Sequence, residues 1–446
     1  MTASSGRMNY KNYLLLVLMV VLSFSYVERT FFGMVLEHIK LDLHLTDTQL
    51  GILSGVGFAL FFAVLGIPIA RWADGGNRVT IVWLTTVVWS AAVILCGMAG
   101  TFLQLFLIRI WVAAGEAGCT PPANSLIPEY FSRSERPRAV ARYMAGISLG
   151  LMVGYFAGGW LNELYGWRKA FFIIGFPGVA LTALTATTLK EPRYLTSALL
   201  RDSTQVSTHE ESQPSIKEVM ETLSGNATFR HLLFFCSVWY FTGWGITQWL
   251  PTFFIRSHGM DTGALGTWLA AIYGGVGILG TWLGGALASR YAARNERLQL
   301  LGVTVLFVLE GVFNAVSVIV PNHHVAFGAL ALGYLCEGVA YGPVFATLQT
   351  LVPARMRSTA QAIMGLLPNF FGMGFGPLTV GALSDALHPW AGNESLRYTL
   401  ILFCPGYCWA AAHLWRASQT VARDLQHTHG PENASEEAPI RLAVVE

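Results

Sequence analysis

The sequence predicts an all-α membrane protein of twelve spanning helices, arranged as two pseudo-symmetric bundles of six. Three observations carry that prediction. The 446-residue chain is 53% hydrophobic and only 12% charged, where a soluble domain carries about 25% charge. About twelve stretches are near the roughly 20 apolar residues that a helix needs to cross a bilayer. The second half of the chain also repeats landmarks of the first at a nearly constant offset.

The first bundle is expected over 1–188, with spans at 13–36, 48–70, 79–99, 102–128, 139–161 and 168–188. A short basic stretch precedes the first span, as in a signal peptide. The interior Glu28-Arg29 and the lack of a small-residue cleavage site predict a retained helix instead. Residues 189–229 form a polar linker containing SALLRDSTQVSTHEESQPS. The second bundle follows over 230–418, with spans at 230–255, 264–289, 299–320, 325–352, 357–384 and 396–418, and 419–446 is a polar tail. Most of the 28 Lys and Arg fall on the side of the N-terminus; Lys40, Arg168, Lys169, Arg256 and Arg397 fall on the other. Positive residues stay inside, so both termini and the linker are expected to be cytoplasmic and the host a cell (inner) membrane.

The repeat is legible residue by residue. Gly66 to Arg78 (GIPIARWADGGNR) aligns without gaps on Gly285 to Arg297 (GALASRYAARNER). Glu116 then falls on Glu337, Pro122 on Pro343, Arg136 on Arg357, Gly154 on Gly376, Gly159 on Gly381 and Glu163 on Asp385, at offsets of 219 to 222. Duplicated halves fit a transporter that exposes a midplane site to each side in turn.

Charges inside the spans point to that site. Leu105 to Gly118 (LFLIRIWVAAGEAG) carries Arg109 and Glu116, seven residues apart on one helix face and roughly 10 Å along the axis. A charge at mid-bilayer costs about 2.5–3.5 kcal/mol on insertion scales, so it faces a protein interior or wet cavity. Glu28 and Arg29 add a second set in the first span. Burial favours a protonated carboxyl and a neighbouring arginine an ionised one. An arginine that leaves its carboxylate to bind a substrate anion therefore makes a proton switch, with Glu28 and Glu116 as coupling acids. The competing expectation is a static salt bridge between the spans. Arginine's planar fork suits carboxylate or phosphate, so Arg29 and Arg109 point to an anionic head on the substrate.

Other features are weaker. Tyr240, Trp244 and Gln248 share a face of the aromatic seventh span and could line a cavity, as could Glu337; Glu310, Asn314 and Asn369 are further candidates. Gly146, Gly150, Gly154 and Gly158 recur every four residues and are expected to pack helices closely. The 6 cysteines lie in apolar stretches without partners for a metal, there is no Gly-Lys-Ser/Thr phosphate loop, and the net charge of +2 gives no reason to expect nucleic acid. No cofactor, metal or catalytic group is expected.

Trp72 to Arg78 resembles the signature loop of the major facilitator superfamily, G-x-x-x-D-R-x-G-R-K. Asp74 and Arg78 match it, while Ala70, Gly75, Asn77 and Val79 depart from it. The resemblance implies the major facilitator fold and an inner gate of Asp74, Arg78, Glu129 and Arg136, with Asp74 favouring a helix N-terminus through its dipole and Glu129 pairing with the basic loop that holds Arg136. Within the superfamily the chain resembles the spinster-like branch of sphingolipid and lysophospholipid transporters. Ser25 to Thr30 (SYVERT), Asn77-Arg78, Arg109 to Gly118 and Gly376 to Leu387 with Ser395 to Tyr398 carry that likeness. It implies Glu28 as the protonatable acid of span one, with Arg29 beside it, and Arg109 and Glu116 as a pair that exchanges partners.

The expected function is proton-coupled secondary transport of an amphipathic or anionic organic solute, lysolipid-like or sphingoid-like by resemblance, by a monomer in the bilayer. A proton symporter of small organic acids such as sugar acids or aromatic acids is the alternative. A receptor of the same fold that binds without transporting is the alternative from another class.

Overall fold

Helix accounts for nearly all of the residues described by a computed structural model, which are 2–132, 134–192, 216–291, 295–352 and 356–428. In chain order the helices are α1 Thr2–Leu43, α2 Asp47–Ser54, α3 Val56–Gly75, α4 Arg78–Cys96, α5 Phe102–Glu116, α6 Thr120–Tyr130 and α7 Arg136–Thr188. They continue as α8 Ile216–Gly225, α9 Ala227–His258, α10 Thr262–Ala270, α11 Gly277–Tyr291, α12 Glu296–Ile319, α13 His323–Leu351, α14 Arg357–Ala391, α15 Ser395–Phe403 and α16 Pro405–Thr428.

Several boundaries follow from local chemistry. Thr46 and Gln49 form a reciprocal capping box at the start of α2, satisfying two otherwise orphaned N–H groups. Asn77, Thr101, Asn295 and Asn322 cap α4, α5, α12 and α13 with side-chain oxygens. Gly55 interrupts the second span between α2 and α3. Gly166, at φ 75°, divides α7 into two crossings, a backbone state that glycine adopts without a Cβ penalty. A π-turn at Ala271–Val276 joins α10 to α11.

Among the described residues nine helical stretches are long and apolar enough to span. Two of them, Arg138–Thr188 and Ile363–Gln426, are each long enough for two crossings. The aromatic α9 supplies the remaining crossing, which accords with twelve. The linker is not wholly irregular: α8 buries Val219 and Leu223, four residues apart on one face. Of the polar tail, 419–428 continues α16; residues 429–446, like 193–215 of the linker, lie outside the described residues.

The chain forms two compact units, one of Met1–Ser207, Trp244–Gly275 and Met373–Leu400, the other of Thr208–Gly243, Val276–Gly372 and Ile401–Glu446. In the first, the four-residue glycine stripe of α7 lies on α1. A Cβ at Gly146 would lie 2.6 Å from Met19 O, at Gly150 2.6 Å from Tyr26 Cβ, and at Gly154 2.9 Å from Val27. Such approach needs a bare backbone, and it presses α1 into place around Glu28 and Arg29. In the second unit α12 packs against α13 and α16, and Phe235, Trp239 and Phe307 form an aromatic core with ring centroids 4.8 to 5.5 Å apart.

Candidate functional site

The four charges of the first and fourth spans meet in the first unit as crossed ion pairs. Arg109 on α5 donates from Nη1 to Glu28 Oε1 on α1. Arg29 on α1 donates from Nε to Glu116 Oε2 on α5 at 2.6 Å. Each helix thus gives one acid and one base to the other. Gly115 lets α5 lie close against α4: its Cβ would lie 2.7 Å from both Thr85 O and Trp89 N.

Phe58 stands beside both cations, 5.0 Å from the Arg109 guanidinium carbon and 4.9 Å from that of Arg29. Phe32 covers Arg109 at 4.1 Å, and Phe62 and Tyr26 flank Arg29 at 5.0 and 5.2 Å. Aromatic faces stabilise a guanidinium by about 0.5–2 kcal/mol each, offsetting part of its desolvation.

The pairs are only half satisfied. Glu28 Oε2, Glu116 Oε1 and Arg109 Nε are buried without a hydrogen-bond partner among the described residues. Glu28 backs onto a narrow apolar crevice, with no room for a water molecule, lined by Phe24, Trp89, Ser90, Val93, Ile174, Gly175 and Gly178. Arg29 differs from the other three: its side chain is 14% exposed, against 0 to 3% for Glu116, Glu28 and Arg109. Gln248 joins this neighbourhood, because a Cβ on Gly33, one turn along α1 from Arg29, would lie 3.1 Å from its Nε2.

The remaining sequence candidates fall elsewhere. Trp244 and Tyr240 are half-buried on the face they share with Gln248. Glu337 is half-buried in the second unit, where Trp239 hydrogen-bonds it, and Glu310 and Asn314 are buried there on α12. Asn369 is half-buried on α14. Arg78 is fully buried, engaging Glu129 and Glu191, Ser125 O at 3.0 Å and Ser125 Oγ at 3.3 Å. It therefore ties the start of α4 to α6 and to the segment after α7. Arg136 turns to the end of α6, donating to Phe131 O at 3.2 Å and Pro128 O at 3.0 Å, while Glu129 takes Arg78. The side chain of Asp74 lies outside the described residues.

A second polar network, not singled out in the sequence, occupies the opposite end of the first unit from Arg78. Arg256 of α9 grips Asp47 with two bonds of 2.7 Å and Glu37 with a third of 2.7 Å. Lys40 at 2.6 Å and Ser384 at 2.7 Å complete the shell around Asp47. Asp385 of α14 accepts from the backbone N–H of Asp47 and Thr48, at 3.0 and 2.7 Å, capping α2. Glu163 of α7 does the same for α10, accepting from Gly263 N at 2.6 Å. Glu163 and Asp385 are repeat mates, so the duplicated acids perform one duplicated task. Their neighbours Gly159 and Gly381 allow the close contact: a Cβ on Gly159 would lie 3.0 Å from Gly266 Cα, and one on Gly381 2.8 Å from the Asp47 carbonyl carbon.

Among the described residues no three His, Cys, Asp or Glu side chains gather as a metal would need. Apolar crossings with ion pairs held among them define a polytopic membrane transporter rather than an enzyme. Comparison with known proteins agrees. Residues 18–377 match the sequence profile of the Major Facilitator Superfamily, and the chain belongs to that family. It shares a TM-score of 0.81 and 26% identity with the crystal structure of a bacterial homologue of the human lysosomal transporter spinster, in an inward-facing and unoccupied conformation, over 93% of this chain and 98% of that one. It is 30% identical to an MFS-type efflux pump of Mycolicibacterium smegmatis, over 92% of this chain and 93% of that protein. A cis,cis-muconate transport protein of Acinetobacter baylyi is 24% identical, over 78% and 82% of the two chains. The spinster-like resemblance read from the motifs therefore extends to the whole backbone.

Proposed function

We propose that this transporter is proton-coupled, that it moves an amphipathic or anionic organic solute by alternating access, and that Arg29 and Glu116 are its moving couple. One observation carries the reading: the crossed pairs are half satisfied, and Arg29 alone of the four is appreciably exposed. A substrate anion meets Arg29 first. Once Arg29 turns to it, Glu116 is left buried without its cation, and an unpaired buried carboxylate is relieved by taking a proton. Glu28 and Arg109 repeat the arrangement more deeply and serve as the second step. The Asp47–Arg256–Glu37 network is the outer gate and the Arg78 cluster the inner one, in the orientation that the positive-inside rule gives: an inner-membrane protein, working as a monomer, with both termini cytoplasmic.

A lysolipid-like or sphingoid-like solute is the first substrate class, on the strength of the spinster-like backbone. A small organic acid is the second, favoured by the paired arginines and by the relative named for muconate. Proteoliposome flux under an imposed pH gradient tests the reading. Uptake should depend on that gradient, and lysophospholipid should compete better than gluconate-like acids. Glu116→Gln and Glu28→Gln should each abolish the pH dependence. Saturable binding with no flux would make the protein a receptor, and pH dependence unchanged in both variants would remove the switch.

A further inference from the structure

Two carboxyls in the second unit have no place in the switch above. Glu310 on α12 is 1% exposed, and its Oε2 is buried with no hydrogen-bond partner among the described residues. Glu337 on α13 lies close enough to act on it electrostatically. The helices meet here: a Cβ on Gly333, one turn before Glu337, would lie 3.2 Å from Asn314 Nδ2 and 3.7 Å from Glu310 O. Two neutral donors serve the pair. The Tyr407 hydroxyl hydrogen-bonds Glu310 and the Trp239 indole hydrogen-bonds Glu337. These donors converge, at 3.8 and 3.9 Å from a Cβ built on Gly243.

Among the described residues neither carboxyl has an ion-pair partner. From Leu298 to Val352, across both helices, the sequence contains no Lys or Arg. α11, which packs on α13, carries Arg290 in its last turn, and the cations of α9 and α16 closest in sequence to the two donors are Arg230 and Arg416. Each lies nine residues from Trp239 or Tyr407, roughly 13 Å along the axis. The other titratable groups around Glu310 are a thiol and a phenol: Cys336 beside Glu337, and Tyr407 of α16, which packs against Gly311. His231 and His413 contact each other, 3.2 Å apart.

We propose that Glu310 and Glu337 form a second proton-binding site, in which the two carboxyls hold one proton between them at neutral pH. Two adjacent carboxylates in a low-dielectric interior cannot both ionise without a compensating cation, and a shared proton gives the partnerless Glu310 Oε2 a hydrogen bond. The donors from Tyr407 and Trp239 stabilise the remaining charge. The site is independent of Arg29–Glu116, because it needs no departing arginine and its occupancy is read without transport.

Infrared difference spectroscopy of the reconstituted protein, titrated with pH and compared with Glu310→Gln and Glu337→Gln, tests this. The wild-type-minus-variant spectra should show a protonated-carboxyl band at pH 7 that either substitution removes or diminishes. In Glu337→Gln the remaining Glu310 band should titrate lower by about one pH unit or more, because its like-charged neighbour is gone. The half-buried position of Glu337 keeps this comparison usable should Glu310→Gln fail to insert. A band indifferent to both substitutions, or an unshifted midpoint, would overturn the pair. Discharge of the band by sodium at constant pH would overturn it in favour of a metal-cation site. Failure here leaves the pH dependence of the Glu28 and Glu116 variants untouched, so the two readings fall separately.

Discussion

Each unit places two carboxyls among its helices, and they are neutralised in different ways. In the first, Glu28 and Glu116 are met by Arg109 and Arg29 across α1 and α5. In the second, Glu310 and Glu337 are met by a phenol and an indole. The repeat makes the contrast sharper. Glu116 and Glu337 are mates at an offset of 221 residues, and at that offset Arg109 falls on Leu330. The second copy carries the acid but a leucine where the first has its base. An arginine-paired carboxylate responds to whatever draws the arginine away, such as an anion. A carboxyl without a base responds to pH alone. On the readings proposed above, one half would link a proton to a solute and the other would bind a proton outright.

Removing the base from the first unit is the harshest way to break this contrast. Arg109→Leu leaves Glu28 buried without its ion-pair partner, a change that costs about 3–5 kcal/mol and should appear as lost thermal stability and lost uptake together. Adding Glu28→Leu should restore most of the stability, because a paired removal eliminates the orphan charge, and should restore no uptake. Arg109→Lys should keep the charge and still fail to transport, because the ammonium lacks the planar fork. Full uptake by Arg109→Lys would show that forked recognition plays no part there.

The next effect comes from the far end of the same unit. Arg256→Ala removes three charge-assisted bonds to Asp47 and Glu37, each worth about 1.5–3 kcal/mol when both partners stay satisfied. Water can re-solvate part of this network, since the Arg256 side chain is 10% exposed, so the net loss will be nearer one bond than three. Amide exchange at Asp47 and Thr48, whose N–H groups Asp385 holds, should accelerate by about tenfold or more. Exchange unchanged at those amides would mean that Asp385 alone holds α2 and that Arg256 is no part of a gate.

The twelve crossings, the repeat and the identity of the four intramembrane charges were legible in the sequence, because apolar length and charge in oil are one-dimensional signals. Who pairs with whom was not. Arg109 and Glu116 share a helix face, which invites pairing within α5, yet both reach across to α1, because seven residues of helix hold them roughly 10 Å apart, beyond ion-pair reach. Arg256 and Asp47 went unread because charges at span ends are ordinarily solvated, and Arg256 was counted only toward orientation. The repeat of Glu163 in Asp385 was the one available hint. Two acids at corresponding helix ends have no positive-inside explanation, and capping supplies one. Glu310 illustrates the opposite limit: its burial was foreseeable, but the missing counter-charge shows only when α9, α13 and α16 are packed around it.

The smallest effect belongs to the same chemistry moved into water. Lys11, near the start of α1, bonds Glu135 at 2.6 Å at the Arg78 end of the first unit, where the Glu135 side chain stands 46% exposed just before α7. The Lys11 ammonium, helped by the Ser132 N–H and hydroxyl, holds the Glu135 carboxyl below its ordinary 4.5, at about 2. A carboxyl lowered on folding stabilises the fold above its unfolded value and loses that contribution as pH falls through the folded one. The contribution of this pair should therefore be complete at neutral pH and vanish between about pH 4.5 and 2. Lys11→Ala should change stability little at pH 7, as solvent-exposed pairs do, and should flatten the acid limb of the stability profile over that window. If Lys11→Ala instead destabilised the protein as severely as Arg109→Leu, burial would not be what separates the two kinds of pair, and the contrast between a pair in oil and a pair in water would fail at its root.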